Sequence, residues 1–246
     1  MTPAPELSII IPAFNEEERL PQTLEQISQY LRTLPFTSEI IVVNDGSTDN
    51  TAQVVSALAK KISSLSLVSN DRNRGKGFSV RHGMLEARGR IALFTDADLS
   101  APIEEAQKLL AVLESVDIAI GSRAVDRRLI EIHQSRAREL AGILFNGIMR
   151  LLIGLPFEDT QCGFKAFAMP ESRIIFEQQR ILDFGFDPEI LFLARRHGLR
   201  AIEVPVRWSH DPRTKVHVFR DSIRMLLDLF LIRWNALVGR YPRASA

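Results

Sequence analysis

The 246-residue chain holds one cysteine, Cys162, so no intrachain disulfide framework can staple it. A lone cysteine fits a reducing cytosol and leaves the fold to depend on a buried core. Nowhere do ~18 consecutive apolar residues occur, so no full membrane-spanning helix is expected. The N-terminal MTPAPELSIIIPAF lacks a basic stretch followed by a long apolar one, so no secretory signal is expected either. The net charge is only +1, which removes any general attraction to nucleic acid. Five histidines show no metal-ligand spacing, and there is no internal repeat and no low-complexity linker. What remains is an ordinary globular composition, 46% hydrophobic and 25% charged, enough for one α/β domain with a terminal extension.

Apolar runs alternate with helical patterns through the first half. Strands are predicted at 7–13, 38–44, 65–69, 91–95 and 117–121, with helices near 17–33, 49–62, 77–88 and 102–115. In the first helix the apolar positions Leu20, Leu24, Ile27, Leu31 and Leu34 keep close to helical period. Such repetition predicts a mostly parallel sheet with helices on both faces, and ligands at the carboxyl ends of its strands. The second half is less regular: helices near 136–153, 171–179, 187–197 and 219–239, with strands at 163–168 and 201–208.

Polar residues gather where the strands end. Asn15-Glu16 follows the first strand, Asp45-Gly46-Ser47-Thr48-Asp49 the second, and Asp96-Ala97-Asp98 the fourth. Acids after a strand commonly form turns or helix caps, so each cluster alone says little. Their convergence on one sheet edge says more. Asp96 and Asp98 can approach one hard divalent cation, Mg²⁺ or Mn²⁺, that also takes phosphate oxygens. Asn73-Arg74-Gly75-Lys76-Gly77, just before a helix, offers backbone amides and an ammonium to phosphate. It is neither a Walker A loop nor a dinucleotide fingerprint, because Gly77 and Val80 stand at positions those motifs reserve for other residues.

These motifs together resemble the family 2 glycosyltransferases of the GT-A, Rossmann-like fold. The resemblance covers roughly residues 7–240 and rests on IIIPAFNEE (9–17), VVNDGSTD (42–49), NRGKG (73–77), TDAD (95–98), GSRA (121–124), DTQCGFKAF (159–167) and GFDPEILFLA (185–194). GSRA with DTQCGFK points to the branch acting on polyprenyl phosphates, and within it to dolichyl-phosphate β-glucosyltransferases. The resemblance implies that Pro12, Phe14, Glu16 and Asp45 hold the base and ribose of a nucleotide sugar, with Lys76 nearby. It implies Asp96 and Asp98 at the metal and diphosphate, Asp96 also at the sugar. Arg123 is implied at the acceptor phosphate, aided by Arg138 and Ser135. One departure stands out: mannosyl relatives place a glutamine, a further metal ligand, where this chain has Ser100.

The expected reaction is therefore inverting transfer of a hexose, glucose from UDP-glucose, to dolichyl or undecaprenyl phosphate. A mannosyl branch using GDP-mannose is the alternative. A pyrophosphorylase is disfavoured because PAFNEE replaces the Gly-rich, Arg-containing loop such enzymes need. A non-catalytic sugar- or nucleotide-binding module is disfavoured by the intact Asp45, Asp96, Asp98 and Arg123. Six arginines at 121–150 against three acids suit an anionic partner. Asp159 is expected to organise the site, Cys162 to fill the core, and His210 and Lys215 to lie in a solvated loop. Residues 1–122 form the expected nucleotide-binding half, 123–218 the acceptor half, and 219–246 a membrane-interface helix. The stretches 140–157 and 223–238, apolar but broken by Arg150, Asp228 and Arg233, read as helices lying in a membrane surface, with Leu226 and Phe230 as contacts. Since nucleotide sugars are generally cytosolic, the protein is expected to be peripheral on the cytosolic face.

Overall fold

The computed structural model describes residues 4–132, 136–210 and 218–242. The five apolar runs of the first half form β1 (Leu7–Ala13), β2 (Ser38–Asn44), β3 (Leu65–Ser69), β4 (Ile91–Thr95) and β5 (Ile118–Ser122). Between them lie α1 (Leu20–Leu31), α2 (Thr51–Ala59), α3 (Lys76–Glu86) and α4 (Ala106–Val112). A short 3₁₀ turn, Ile103–Glu105, leads into α4. β4 and β5 are buried along their whole length, which is why they run apolar rather than alternate.

The second half supplies β6 (Ile130–Ile132), α5 (Arg136–Ile153), β7 (Phe164–Ala168), α6 (Met169–Gln178), α7 (Phe186–Arg196), β8 (Ala201–Pro205), β9 (Trp208–Ser209) and α8 (Val218–Leu237). The strand expected at 201–208 is thus two. After Pro205 the chain leaves the main sheet, and β9 pairs with β6, a strand too short for its periodicity to be read.

The main sheet has seven strands in the order β3-β2-β1-β4-β7-β5-β8. Every neighbouring pair is parallel except those made by β7, which runs antiparallel to both β4 and β5. That reversal has a consequence for the site. The loop entering β7 reaches the same edge as the carboxyl ends of β1, β2, β4 and β5. The second stretch of sequence therefore inserts a strand into the first, and the two share one sheet.

Two cores flank the sheet. On one face α1 contributes Leu20, Leu24, Ile27 and Leu31, packed with Ile9, Ile11 and Val42. On the other, Val80 of α3, Phe176 of α6, Phe186 and Ile190 of α7, and Leu229 and Ile232 of α8 pack with Ile10, Val43 and Phe94. α8 also packs against α5. The outer surfaces of this pair are apolar: Leu151 is 84% exposed, Leu227 62%, Phe230 56%, Trp234 58% and Leu237 81%. Leu226, expected on that surface, is instead partly buried against the core, and Leu227 takes the exposed place. Among the described residues no helix is long and apolar enough to cross a membrane.

Candidate active site

Two loops at the ends of β1 and β2 are laced together. Asn15, in the left-handed region at φ 56°, accepts from the backbone amide of Thr48 at 2.8 Å and donates its own amide to Ser47 Oγ at 2.9 Å. The amide of Glu16 donates to Thr51 Oγ1 at 2.8 Å, and the Glu17 carboxylate accepts from the Asn50 amide at 2.9 Å. Pro12, Phe14 and Glu16 sit half-buried along this rim, with Glu16 paired to Arg19 at 3.0 Å.

Asp45, expected at the donor's base and ribose, is set deep behind this rim. It is buried, and its carboxylate accepts from Asn70 Nδ2 at 2.7 Å and from the amides of Arg74 and Gly75, each at 2.9 Å. Its visible work is to shape the 73–77 loop. Gly46 next to it, at φ +65°, has no room for a side chain, since a Cβ would lie 2.6 Å from the backbone of Asn73.

That loop delivers Lys76 to the two aspartates after β4. Lys76 Nζ lies 2.5 Å from Asp96 Oδ1. Burial works against the ammonium charge, but Asp96 and Asp187 outweigh it and hold the lysine above its usual range. Asp98 is shifted up, by burial first and then by the charge of Asp96. Its Oδ1 accepts from the Ser100 amide at 2.9 Å, closing a turn in which Leu99 takes φ 47°. A branched non-glycine residue in that region is strained, and such strain clusters at functional turns. Ser100, the departure from the mannosyl pattern, thus serves the turn through both its backbone and its side chain.

The two carboxylates fit a hard divalent cation. Both are half-buried, they repel each other, and a cation would relieve that repulsion. Among the described residues no third His, Cys, Asp or Glu completes a ligand set. Magnesium and manganese tolerate this, since they keep waters and take substrate phosphates as ligands.

Arg123 follows β5. Its guanidinium grips Asp159 in a fork, Nε to Oδ2 at 2.6 Å and Nη2 to Oδ1 at 2.7 Å, while its amide donates to Oδ2 at 3.0 Å. Burial opposes both charges, yet each partner overrides it, so the Asp159 carboxyl is held below and the guanidinium above its ordinary range. Glu203 braces the pair from β8, accepting from Ser122 Oγ and the Asp159 amide, each at 2.8 Å. The Trp208 ring lies 5.3 Å from the guanidinium carbon. Together Arg123, Arg127, Ile130, Ile143, Asp159 and Trp208 line part of an open cleft of about 160 Å³. His210 stacks on Trp208, behind this wall rather than among the residues that line it. Arg138 falls within α5, but its side chain, like Ser135 and Lys215, lies outside what is described.

Other functional neighbours escaped the sequence reading. Gly163 carries the backbone directly beneath Asp96, where a Cβ would lie 2.6 Å from the Asp96 carboxyl carbon. Lys165 is fully buried, ion-paired to Asp187, and donates to the Cys162 carbonyl at 2.7 Å. Burial pushes Asp187 up although Lys165 pulls it down. Asp187 also acts on Lys76, so alternating charges run from the sheet interior to the aspartate pair. Both residues stand in motifs that sequence reading singled out, DTQCGFK and GFDPEIL, without a role for either. Cys162 itself is buried core, its thiol pushed up to about 12 by burial.

Known proteins resemble this chain in sequence and in fold. The chain is 38% identical to a dolichyl-phosphate β-glucosyltransferase of Drosophila melanogaster over 99% of its own length and 79% of the relative's. It is 32% identical to the human dolichyl-phosphate β-glucosyltransferase, covering 98% of this chain and 78% of that one. Among solved structures, glucosyl-3-phosphoglycerate synthase from Mycobacterium tuberculosis with bound UDP superposes with TM-score 0.66 at 20% identity, over 93% of this chain and 80% of the other. A Pyrobaculum calidifontis mannosyltransferase with GDP-Man and Mn²⁺ gives 0.62 at 20% identity, over 95% and 65%. At that identity the structures speak for the GT-A fold alone. The model for "Glycosyl transferase family 2" matches residues 8–166, and the chain belongs to that family.

Proposed function

We propose that this protein is an inverting hexosyltransferase that moves glucose from UDP-glucose to a polyprenyl phosphate at a membrane surface. One observation carries the reading. At a single sheet edge, a carboxylate pair suited to a metal–diphosphate lies near a guanidinium held at the mouth of an open cleft. Relatives at 32–38% identity over most of the chain bear the name dolichyl-phosphate β-glucosyltransferase.

The donor's base and ribose lie against Pro12, Phe14 and Glu16. Asp45 acts on the donor through the 73–77 loop it shapes, and Lys76 turns from Asp96 to the diphosphate as the donor arrives. Asp96 and Asp98 would hold Mg²⁺ or Mn²⁺, whose chemistry is to neutralise charge growing on the leaving diphosphate. The acceptor phosphate needs no general base, because a second pKa of about 6 leaves it mostly dianionic at neutral pH. It must instead be held close to other negative groups. Arg123 does this: Asp159 fixes its plane, and its permanent charge faces the cleft. Arg138 and Ser135 are assigned to the same phosphate. A single displacement inverts the anomeric carbon, so an α-linked donor yields a β-linked product.

The prenyl tail must stay in hydrocarbon while its phosphate reaches Arg123. The exposed apolar faces of α5 and α8 supply a seat on the bilayer, on the side where nucleotide sugars are found. Residues 1–122 chiefly contact the donor, 123–218 chiefly the acceptor, and the outer face of 219–246 the membrane.

A pair of acceptors tests the reading. Glucose should pass from UDP-glucose to polyprenyl phosphate and not to the corresponding polyprenol. Equal transfer to the alcohol would remove the phosphate nucleophile from the mechanism.

A further inference from the structure

Away from the aspartates and Arg123, a buried polar cluster joins the segment after α8 to the donor loop. Glu189 of α7 is fully buried. Its two oxygens accept the amides of Arg180 and Ile181, at 2.9 and 2.8 Å, and the hydroxyl of Tyr241 at 2.5 Å. Tyr241, just beyond α8, is fully buried as well, and its hydroxyl also meets Asn235 Nδ2 at 3.2 Å. Its carbonyl accepts from Arg196 Nε at 2.8 Å, so the residue is held at both ends.

The segment that Glu189 fixes, 180–183, is the wall against which the 75–77 loop is built. Phe78 donates its amide to the Leu182 carbonyl at 3.0 Å. Gln179 Nε2 bridges the carbonyls of Gly77 and Ile181 at 2.8 and 3.1 Å. The fit leaves no spare room: a Cβ on Gly75 would stand 2.5 Å from the Leu182 carbonyl oxygen, and one on Gly77 2.8 Å from that of Ile181. A small displacement of 180–183 therefore moves the start of α3, and with it Lys76.

We infer that Tyr241, acting through Glu189, is a positioning residue for the nucleotide-sugar site, tying the end of α8 to the loop that presents Lys76. The inference rests on the donor role given to Lys76 above. Its physical content is a hydrogen-bonded chain that starts from buried groups: Tyr241 hydroxyl, Glu189 carboxylate, the buried Ile181 amide and the part-buried Arg180 amide, then the glycine-tight contact with 75–77. Buried polar groups of this kind fix one geometry, because any shift strands a donor or acceptor away from water. Tyr241→Phe removes one hydroxyl and keeps the ring's packing. Glu189→Gln turns an acceptor into a donor facing a backbone amide.

The test uses the full chain, calorimetric titration with UDP-glucose and Mn²⁺, and initial rates with each substrate varied. Tyr241→Phe should weaken donor affinity roughly threefold to tenfold, and Glu189→Gln at least as much, with the KM for polyprenyl phosphate unchanged. Ile232→Ala serves as control, since it loosens α8 from the core without touching Glu189. It should leave donor affinity within about twofold of wild type. Equal donor affinity in wild type, Tyr241→Phe and Glu189→Gln overturns the inference, and so does an equal loss in Ile232→Ala. Where a variant does not fold, amide exchange in the wild type reads the same link: UDP-glucose should slow exchange at Arg180 and Ile181. No slowing there overturns the inference too. A wild type that binds no nucleotide sugar at all is a different result, and removes the glycosyltransferase reading beneath it.

Discussion

Lys76 and Asp96 meet at 2.5 Å, so an ammonium sits where Asp96, in its proposed role, would take the metal. The pair is partly exposed, with the two side chains 23% and 33% accessible, and a contact of that kind contributes about 1 kcal/mol. Lys76→Met should therefore tighten Mn²⁺ binding to the nucleotide-free protein by roughly fivefold. The same change should weaken UDP-glucose binding, because the diphosphate loses a positive partner. Calorimetry with metal alone and then with nucleotide reads both signs. Weaker binding of metal alone would separate Lys76 from the metal site.

Asp98 is the second half of that proposed site; its neighbours Ala97 and Leu99 pack on the core, but its own side chain is only half-buried. Asp98→Ala should keep the melting temperature within a few degrees of wild type. Glucose transfer should fall by about 10²-fold or more in the presence of Mg²⁺ or Mn²⁺. Full activity of this variant in chelator contradicts the assignment.

The Arg123–Asp159 fork carries a pH dependence whose sign is fixed. The folded-state carboxyl of Asp159 is held below the ordinary value of 3.8, so its contribution is fully present above that value. It is lost as pH falls from there through the lowered folded-state value. Asp159→Asn should cost about 2 kcal/mol at neutral pH, and the gap from wild type should narrow under acid. It should also raise the KM for polyprenyl phosphate, since Arg123 loses its fixed plane. Urea melts at pH 7 and at successively lower pH check the first claim, and steady-state kinetics the second.

Much of this was legible from residue order alone. Strands buried on both faces keep long apolar runs, and helices such as α1 keep their period, so the α/β alternation could be read. Asp96, Asp98 and Arg123 could be placed because they sit one to three residues past a strand end. The direction of β7 could not be read, since a strand's periodicity carries no sense of polarity. Nor could β6, which pairs over too few residues to leave a pattern. Asp45 was rightly placed at the edge, but its turn toward the 74–75 amides is a matter of depth that sequence does not encode. The Lys165–Asp187 and Glu189–Tyr241 pairs lie 22 and 52 residues apart and exist only through the fold.

The proposed membrane seat depends on helical phase, where one residue matters. Leu226 faces partly inward, whereas Leu227 and Phe230 face out. Removing both outward side chains forfeits roughly 1.5–3 kcal/mol each of burial in the bilayer interface. Leu227→Glu with Phe230→Glu should therefore lower liposome affinity about 100-fold or more and reduce lipid glycosylation with it. Donor binding in solution should stay unchanged. Liposome flotation shows the first effect, and no flotation by wild type would make this face a protein contact instead.

The most direct measurement is the product itself. Purified protein, UDP-glucose, Mg²⁺ or Mn²⁺ and polyprenyl phosphate are incubated together, with GDP-mannose in a parallel tube. The glycolipid is then analysed by mass spectrometry and by its anomeric coupling constant. The expected product is a hexosyl polyprenyl phosphate from UDP-glucose, β-linked, with little or none from GDP-mannose. An α-linked product, or lipid labelled from GDP-mannose in preference to UDP-glucose, would contradict the proposed function.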